Sequence, residues 1–160
     1  MFFGFRSMGI AKYSKGCYNH IDNMGLVITS GAVTAKKINV MGMFHVGGDL
    51  RADVLQLTGS ISCKYCVEAQ EIRLLLGDHA TIRHLKGGDL HISISKEEGN
   101  LTAEQVEGRK VTAQHLTAKR LVADDVVLED GCCVEEVRYR SSFQAADSCR
   151  IGTVTKVDLE

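Results

Sequence analysis

Residues 21–76, "IDNMGLVITSGAVTAKKINVMGMFHVGGDLRADVLQLTGSISCKYCVEAQEIRLLL", repeat with a period of seventeen. Ile21, Ile38, Leu55 and Ile72 fall in one column, each seventeen residues after the last. Gly25, Gly42 and Gly59 form a second column, and Val27, Phe44 and Ile61 a third. Val33, Leu50 and Val67 are in step with them, as are Ala35, Ala52 and Ala69. Inside each unit the apolar residues alternate over three to five positions, as in "INV" and "LQL", and stop at glycine or small polar residues. Alternation at period two marks short half-buried strands, and the breakers mark corners where the backbone can need positive φ. Three such strands and three corners make one coil of a parallel β-helix, with equivalent residues stacked about 4.8 Å apart.

The spacing returns near the C-terminus in Val126 and Phe143, Asp130 and Asp147, Cys132 and Cys149, Val134 and Ile151, and Val137 and Val154. Between the two blocks, Leu90, Ile92 and Ile94 give another alternation and "SKEEGN" reads as a charged loop, so one or two coils there are expected to differ in length. Helical spacing accounts only for scattered pieces such as Val106 through Leu116.

Composition agrees with this reading. The chain has 160 residues, 44% of them hydrophobic, which suits one domain with a buried core. It has sixteen glycines but no proline and no tryptophan, a poor inventory for filling a layered helix and sheet core. The net charge is -1 without a block of like charges, so nucleic acid is not an expected partner. No apolar run approaches the roughly 20 residues of a membrane span, and the start lacks the apolar core and cleavage site of a secretory signal. Six cysteines at irregular spacing suit a reducing compartment. The expected location is the cytoplasm.

"MGIAKYSKGCYNHIDNMG", the coil series carrying Gly42, Gly48 and Gly59, "GNLTAEQVEG", "VVLEDGCCVEEVRY" and the final "IGTVTKV" resemble bactofilins, polymer-forming bacterial cytoskeletal proteins, in their Gram-positive form. The resemblance runs from about Met8 to Val157. It implies an all-β, right-handed, three-sided parallel β-helix over residues 8–157, with an N-terminal segment of residues 1–7 and a tail of residues 158–160. It further implies end-to-end self-assembly into nucleotide-independent filaments, often at the membrane, that scaffold other proteins. Cell-wall or flagellar assembly proteins are then the expected clients, in cell shape or motility. Proline-rich tails, common in better-known members, are absent from this sequence.

A stack of strands exposes unpaired backbone groups and apolar side chains at its ends unless a polar cap covers them. The last coil carries Phe143, Ile151, Val154 and Val157 with few residues after it, so these four are the expected polymerisation interface. Phe143 replaces the smaller Val126 of its column; it either reaches the next copy or fills a widening core. At the other end two readings stand: Phe2, Phe3, Phe5 and Arg6 contact membrane, supported by Lys12 and Lys15, or Phe3 and Phe5 plug the first coil. The plug is the favoured reading, because anchoring segments usually carry denser positive charge. Counting back seventeen from Val27 places Ile10 in that coil.

Two rival functions would draw on other residues of the chain. A β-helix enzyme of the hexapeptide acyltransferase or carbonic anhydrase type would need histidines aligned on neighbouring coils. His79, His84 and His91 are five and seven residues apart, out of step with the coil. Cys63 and Cys66 form a CxxC, half of a zinc site, but a tetrahedral metal needs two more ligands and no second CxxC exists. Cys132 and Cys133 should point one inward and one outward, while "VGGD" and "KGGD" are corners and not phosphate loops. Glu135 and Glu136 read as solvent-facing corner residues, with no general acid/base pair between them. The other rival is a non-polymerising binding module docking through Lys96 to Gly108. The expected protein is not an enzyme and carries no metal or cofactor.

Overall fold

Residues that alternate inward and outward and break at every fifth or sixth position cannot form one long flat strand; they bend into coils. In the computed structural model, which describes residues 6–157, this yields seven strand segments: β1 (Arg6–Gly47), β2 (Leu50–Leu76), β3 (His79–Ile94), β4 (Asn100–Ala113), β5 (Leu116–Leu128), β6 (Cys133–Ala145) and β7 (Arg150–Lys156). They form one sheet in chain order, every pair parallel. The chain is therefore a β-solenoid. β1, at 42 residues, runs around several corners without leaving the sheet. No helix occurs among the described residues, so Val106 through Leu116 is strand β4, a turn, and the start of β5.

The register reproduces the sequence columns. Val33 pairs with Leu50, Ala35 with Ala52, Ile38 with Leu55, Gly42 with Gly59 and Phe44 with Ile61. At the far end Val134 pairs with Ile151 and Val137 with Val154. The middle departs from seventeen in four places, the last being a step of sixteen from β5 to β6 that returns to seventeen at a bulge between Ala123 and Asp125. From β2 to β3 the step grows by one or two residues at a bulge between Cys63 and Cys66. From β3 to β4 the insertion is the turn Ser95–Gly99, exposed up to Glu98 and closed by the buried Gly99, whose amide donates to the Lys96 carbonyl at 2.9 Å. From β4 to β5 the coil is shortened to a tight corner at His115, whose φ is +49° and whose Nδ1 lies 2.9 Å from the Gly99 carbonyl oxygen.

The inward residues build one continuous core from Tyr13 to Val137, with Val67, Leu85, Val106, Leu121 and Val137 stacked along one wall. Two polar side chains are buried in it, and both hydrogen-bond to the backbone. Thr29 Oγ1 accepts from the Gly47 amide at 3.2 Å, and Asn23 Nδ2 donates to the Leu26 carbonyl at 3.4 Å. Gly42 and Gly59 adopt φ of +130° and +131°, and a Cβ on either would meet the carbonyl of the glycine one coil below. This explains that column: only a residue without Cβ both adopts the corner conformation and admits the neighbouring coil.

The first coil corrects the sequence count. Gly31 sits against Lys15, sixteen residues back, so the inward positions are Ala11, which packs on the core, and Tyr13. Ile10 is 69% exposed and is not a core residue. One residue fewer in that coil moves Ile10 to the other face of the strand.

Candidate functional site: the uncovered end of the stack

The last strand, β7, covers only part of the coil beneath it. Its pairs run from Cys133 with Arg150 to Tyr139 with Lys156, so the third side of that coil, Ser141 to Ala145, has no strand above it among the described residues. The top of the stack is therefore a step. Two of its sides end in β7, carrying Ile151 and Val154, and the third ends in β6, carrying Phe143.

Each of these residues stands over a fully buried partner. Val126 lies under Phe143, Val134 under Ile151 and Val137 under Val154. The upper residues are less protected: Phe143 and Ile151 are half-buried, and Val154 is 43% exposed. Apolar inward-facing side chains without a covering coil, beside the unpaired backbone groups of β7, form a template for another strand. Phe143 is also braced from the side, within its own coil. Its ring stacks on Tyr139, with centroids 5.6 Å apart and planes at 28°. Val157 is half-buried and closes the same edge, donating its amide to the Tyr139 carbonyl at 2.7 Å.

Tyr139 escaped the sequence reading, yet its signal was present. It pairs with Ala123, in a corner column held by Ala and Gly over the preceding coils, as in Gly108 with Ala123 and Ala69 with Gly87, and Lys156 stands above it. A large ring after a run of small residues marks where that column changes character.

At the opposite end, Phe2, Phe3 and Phe5 lie outside the described residues, and of Arg6 only the backbone, at the start of β1, is described. Lys12 and Lys15 are exposed. No helix among the described residues is long and apolar enough to cross a membrane.

The remaining candidates are dispersed. His79, His84 and His91 are all exposed and pair one coil later with Asn100, Gln105 and Thr112, so no histidine is stacked on another there. Cys63 is buried and Cys66 half-buried, on either side of the bulged corner; Asp49 Oδ1 accepts from the Cys66 amide at 3.2 Å. Burial pushes the Cys63 thiol up to about 11 and that of Cys132 to about 12. Cys132 points in and Cys133 out, as alternation requires. No group of three or more His, Cys, Asp or Glu among the described residues is placed to hold a metal. Glu136 carries two arginines: Arg138 Nε at 2.9 Å and Arg120 Nε at 3.2 Å, which hold its carboxyl below the usual range. That cluster orients the two guanidinium groups.

No family model, curated protein or solved structure matches this chain.

Proposed function

We propose that this chain is a non-enzymatic structural protein of the bactofilin type, which assembles end to end into nucleotide-independent filaments and presents its long faces as a scaffold. One observation carries the reading: among the described residues the stacked columns run up to the last strand and leave apolar side chains, Ile151 and Val154, on it. A second copy placed on β7 would extend the same ladder, adding backbone hydrogen bonds and covering Phe143, Ile151 and Val154 together. Burying three such side chains, each worth about 1.5–3 kcal/mol when fully removed from water, is a sizeable driving force before association costs. The resemblance of "GNLTAEQVEG" and "VVLEDGCCVEEVRY" to bactofilins supports the same conclusion.

In this reading the protein lies in the cytoplasm, at the inner face of the membrane where Phe2, Phe3, Phe5 and Arg6 give it a weak foothold, and its clients are wall or flagellar assembly proteins. Many copies on one filament convert a weak foothold into lasting attachment. Sedimentation velocity over a range of protein concentrations, with neither nucleotide nor metal, tests the assembly. Large species are expected for the wild type, and small ones for Phe143→Arg, Ile151→Arg and Val154→Arg. A wild type that stays a monomer or a fixed trimer at every concentration overturns the proposal. Flotation with anionic liposomes of protein lacking residues 1–7 tests the foothold, and unchanged flotation removes it.

A further inference from the structure

A groove of about 720 Å³ runs along the solenoid below the uncovered end. Its floor is the corner column of Gly87, Gly108 and Ala123, whose lack of bulk leaves the trough open, and Tyr139 with Val157 closes one end. Five cationic side chains line it, Lys86, Arg109, Arg120, Arg138 and Arg140, against two carboxylates, Glu107 and Asp124. The chain as a whole carries a net charge of -1, so this excess of positive charge is local.

The cations are held ready. Glu136 accepts from Nε of both Arg120 and Arg138, and Asp124 faces Arg140 Nε at 3.7 Å, which fixes the guanidinium groups through Nε. Among the described residues, none of the ion pairs uses Lys86 or Arg109. The Arg109 guanidinium lies against Gly88, where an added methyl would meet its Nη2 at 3.1 Å. Guanidinium groups with free Nη donors recognise carboxylates in a planar two-bond fashion.

We infer that this groove binds an extended acidic peptide segment of a partner protein. Its carboxylates meet Lys86, Arg109 and the Arg120–Arg138 pair, and an apolar side chain rests on Tyr139 and Val157. The dimensions agree. Lys86, Glu107, Val122 and Arg138 are stacked in register. That is three coil steps, about 14 Å, the reach of four or five extended residues at roughly 3.3 Å each. Glu107 and Asp124 argue against a denser polyanion such as a nucleic acid, because they would repel closely spaced phosphates while accepting peptide N–H groups. A scaffold needs such a docking place for clients, but the groove lies on a long face and its binding does not depend on the ends joining.

Fluorescence anisotropy with a labelled peptide Leu-Glu-Ser-Glu-Ser-Glu tests this on the wild type and on Ile151→Arg, so that a failure of assembly and a failure of the groove are read apart. Saturable binding that weakens with salt is expected in both. Lys86→Glu with Arg109→Glu should weaken it about tenfold or more, and the shape-preserving pair Lys86→Gln with Arg109→Gln should act in the same direction. Lys12→Glu with Lys15→Glu, an equal charge change at the far end, should change it less than about twofold. The inference falls if the peptide does not bind saturably, if both reversals weaken it equally, or if oligothymidylate or phosphatidylserine vesicles bind the groove residues more tightly than the peptide.

Discussion

Val154 stands directly over Val137 in the register of the last two strands, yet Val137 is fully buried while Val154 is 43% exposed. The same side-chain type thus meets two environments one coil apart: packed below, open above. Substitutions at the two positions should separate stability from assembly. Val137→Ala should lower unfolding free energy by about 2 kcal/mol through lost burial and a residual cavity, while leaving assembly in place. Val154→Arg should cost less than about 1 kcal/mol in the isolated chain and abolish large species. Denaturant unfolding and sedimentation of the two variants check the contrast, and assembly surviving Val154→Arg would remove the end from consideration.

The glycine column gives a second prediction. At Gly42 and Gly59 a methyl would meet the carbonyl oxygen of Gly25 and of Gly42, and φ is positive at both. Gly42→Ala or Gly59→Ala should therefore destabilise by roughly 2 kcal/mol or more, combining a strained corner with a pushed-out neighbouring coil. At Gly77 the new methyl would meet only the Ser95 hydroxyl at 3.1 Å, a side chain that can turn away. Gly77→Ala should be the mildest of the three by thermal unfolding.

How far the sequence led is visible at these positions. Ile38 over Leu55 and Gly42 over Gly59 were legible because stacked residues share one environment and so share one residue type, and a constant period carries that similarity along the chain. The middle was harder to read because four local features change the count: the Cys63–Cys66 bulge, the Ser95–Gly99 turn, the His115 corner and the Ala123–Asp125 bulge. "SKEEGN" gave away the longest of them by its charge. His115 gave no signal, since a left-handed corner normally announces itself by glycine or asparagine. Ile10 was misplaced for the same reason, a one-residue change in coil length that reverses inside and outside. The apolar residues of the uncovered end were legible as chemistry, but the groove was not, because its cations lie on different coils and meet only in the stacked structure.

Thiol chemistry offers a third prediction. Cys17 and Cys133 are exposed, whereas Cys63 and Cys132 are buried with thiols pushed up to about 11 and about 12 by loss of solvent. The thiolate is the reactive form, so burial blocks both access and ionisation. Under native conditions near neutral pH, a thiol reagent should modify Cys17 and Cys133 quickly and leave Cys63 and Cys132 untouched until the chain is unfolded. Mass spectrometry of the labelled peptides reads this directly, and early labelling of Cys132 would contradict the inward column.

The same two thiols should contribute to a loss of stability at alkaline pH, in the same direction as the raised Cys66 thiol and Tyr13 phenol. In the unfolded chain a thiol ionises near its ordinary value of about 8.5, while in the fold Cys63 and Cys132 hold their protons to about 11 and about 12. Between those limits the unfolded state binds fewer protons than the folded state, so unfolding free energy must fall as pH rises. Below the unfolded value both states are protonated and the contribution is fully present. Wild-type stability should therefore decline from about pH 8.5 to about pH 11 more steeply than that of Cys63→Ala with Cys132→Ala, although the double variant begins from a lower stability because two buried sulfurs are lost. Parallel slopes for the two proteins across that range, measured by urea unfolding at each pH, would show that these thiols do not face the core.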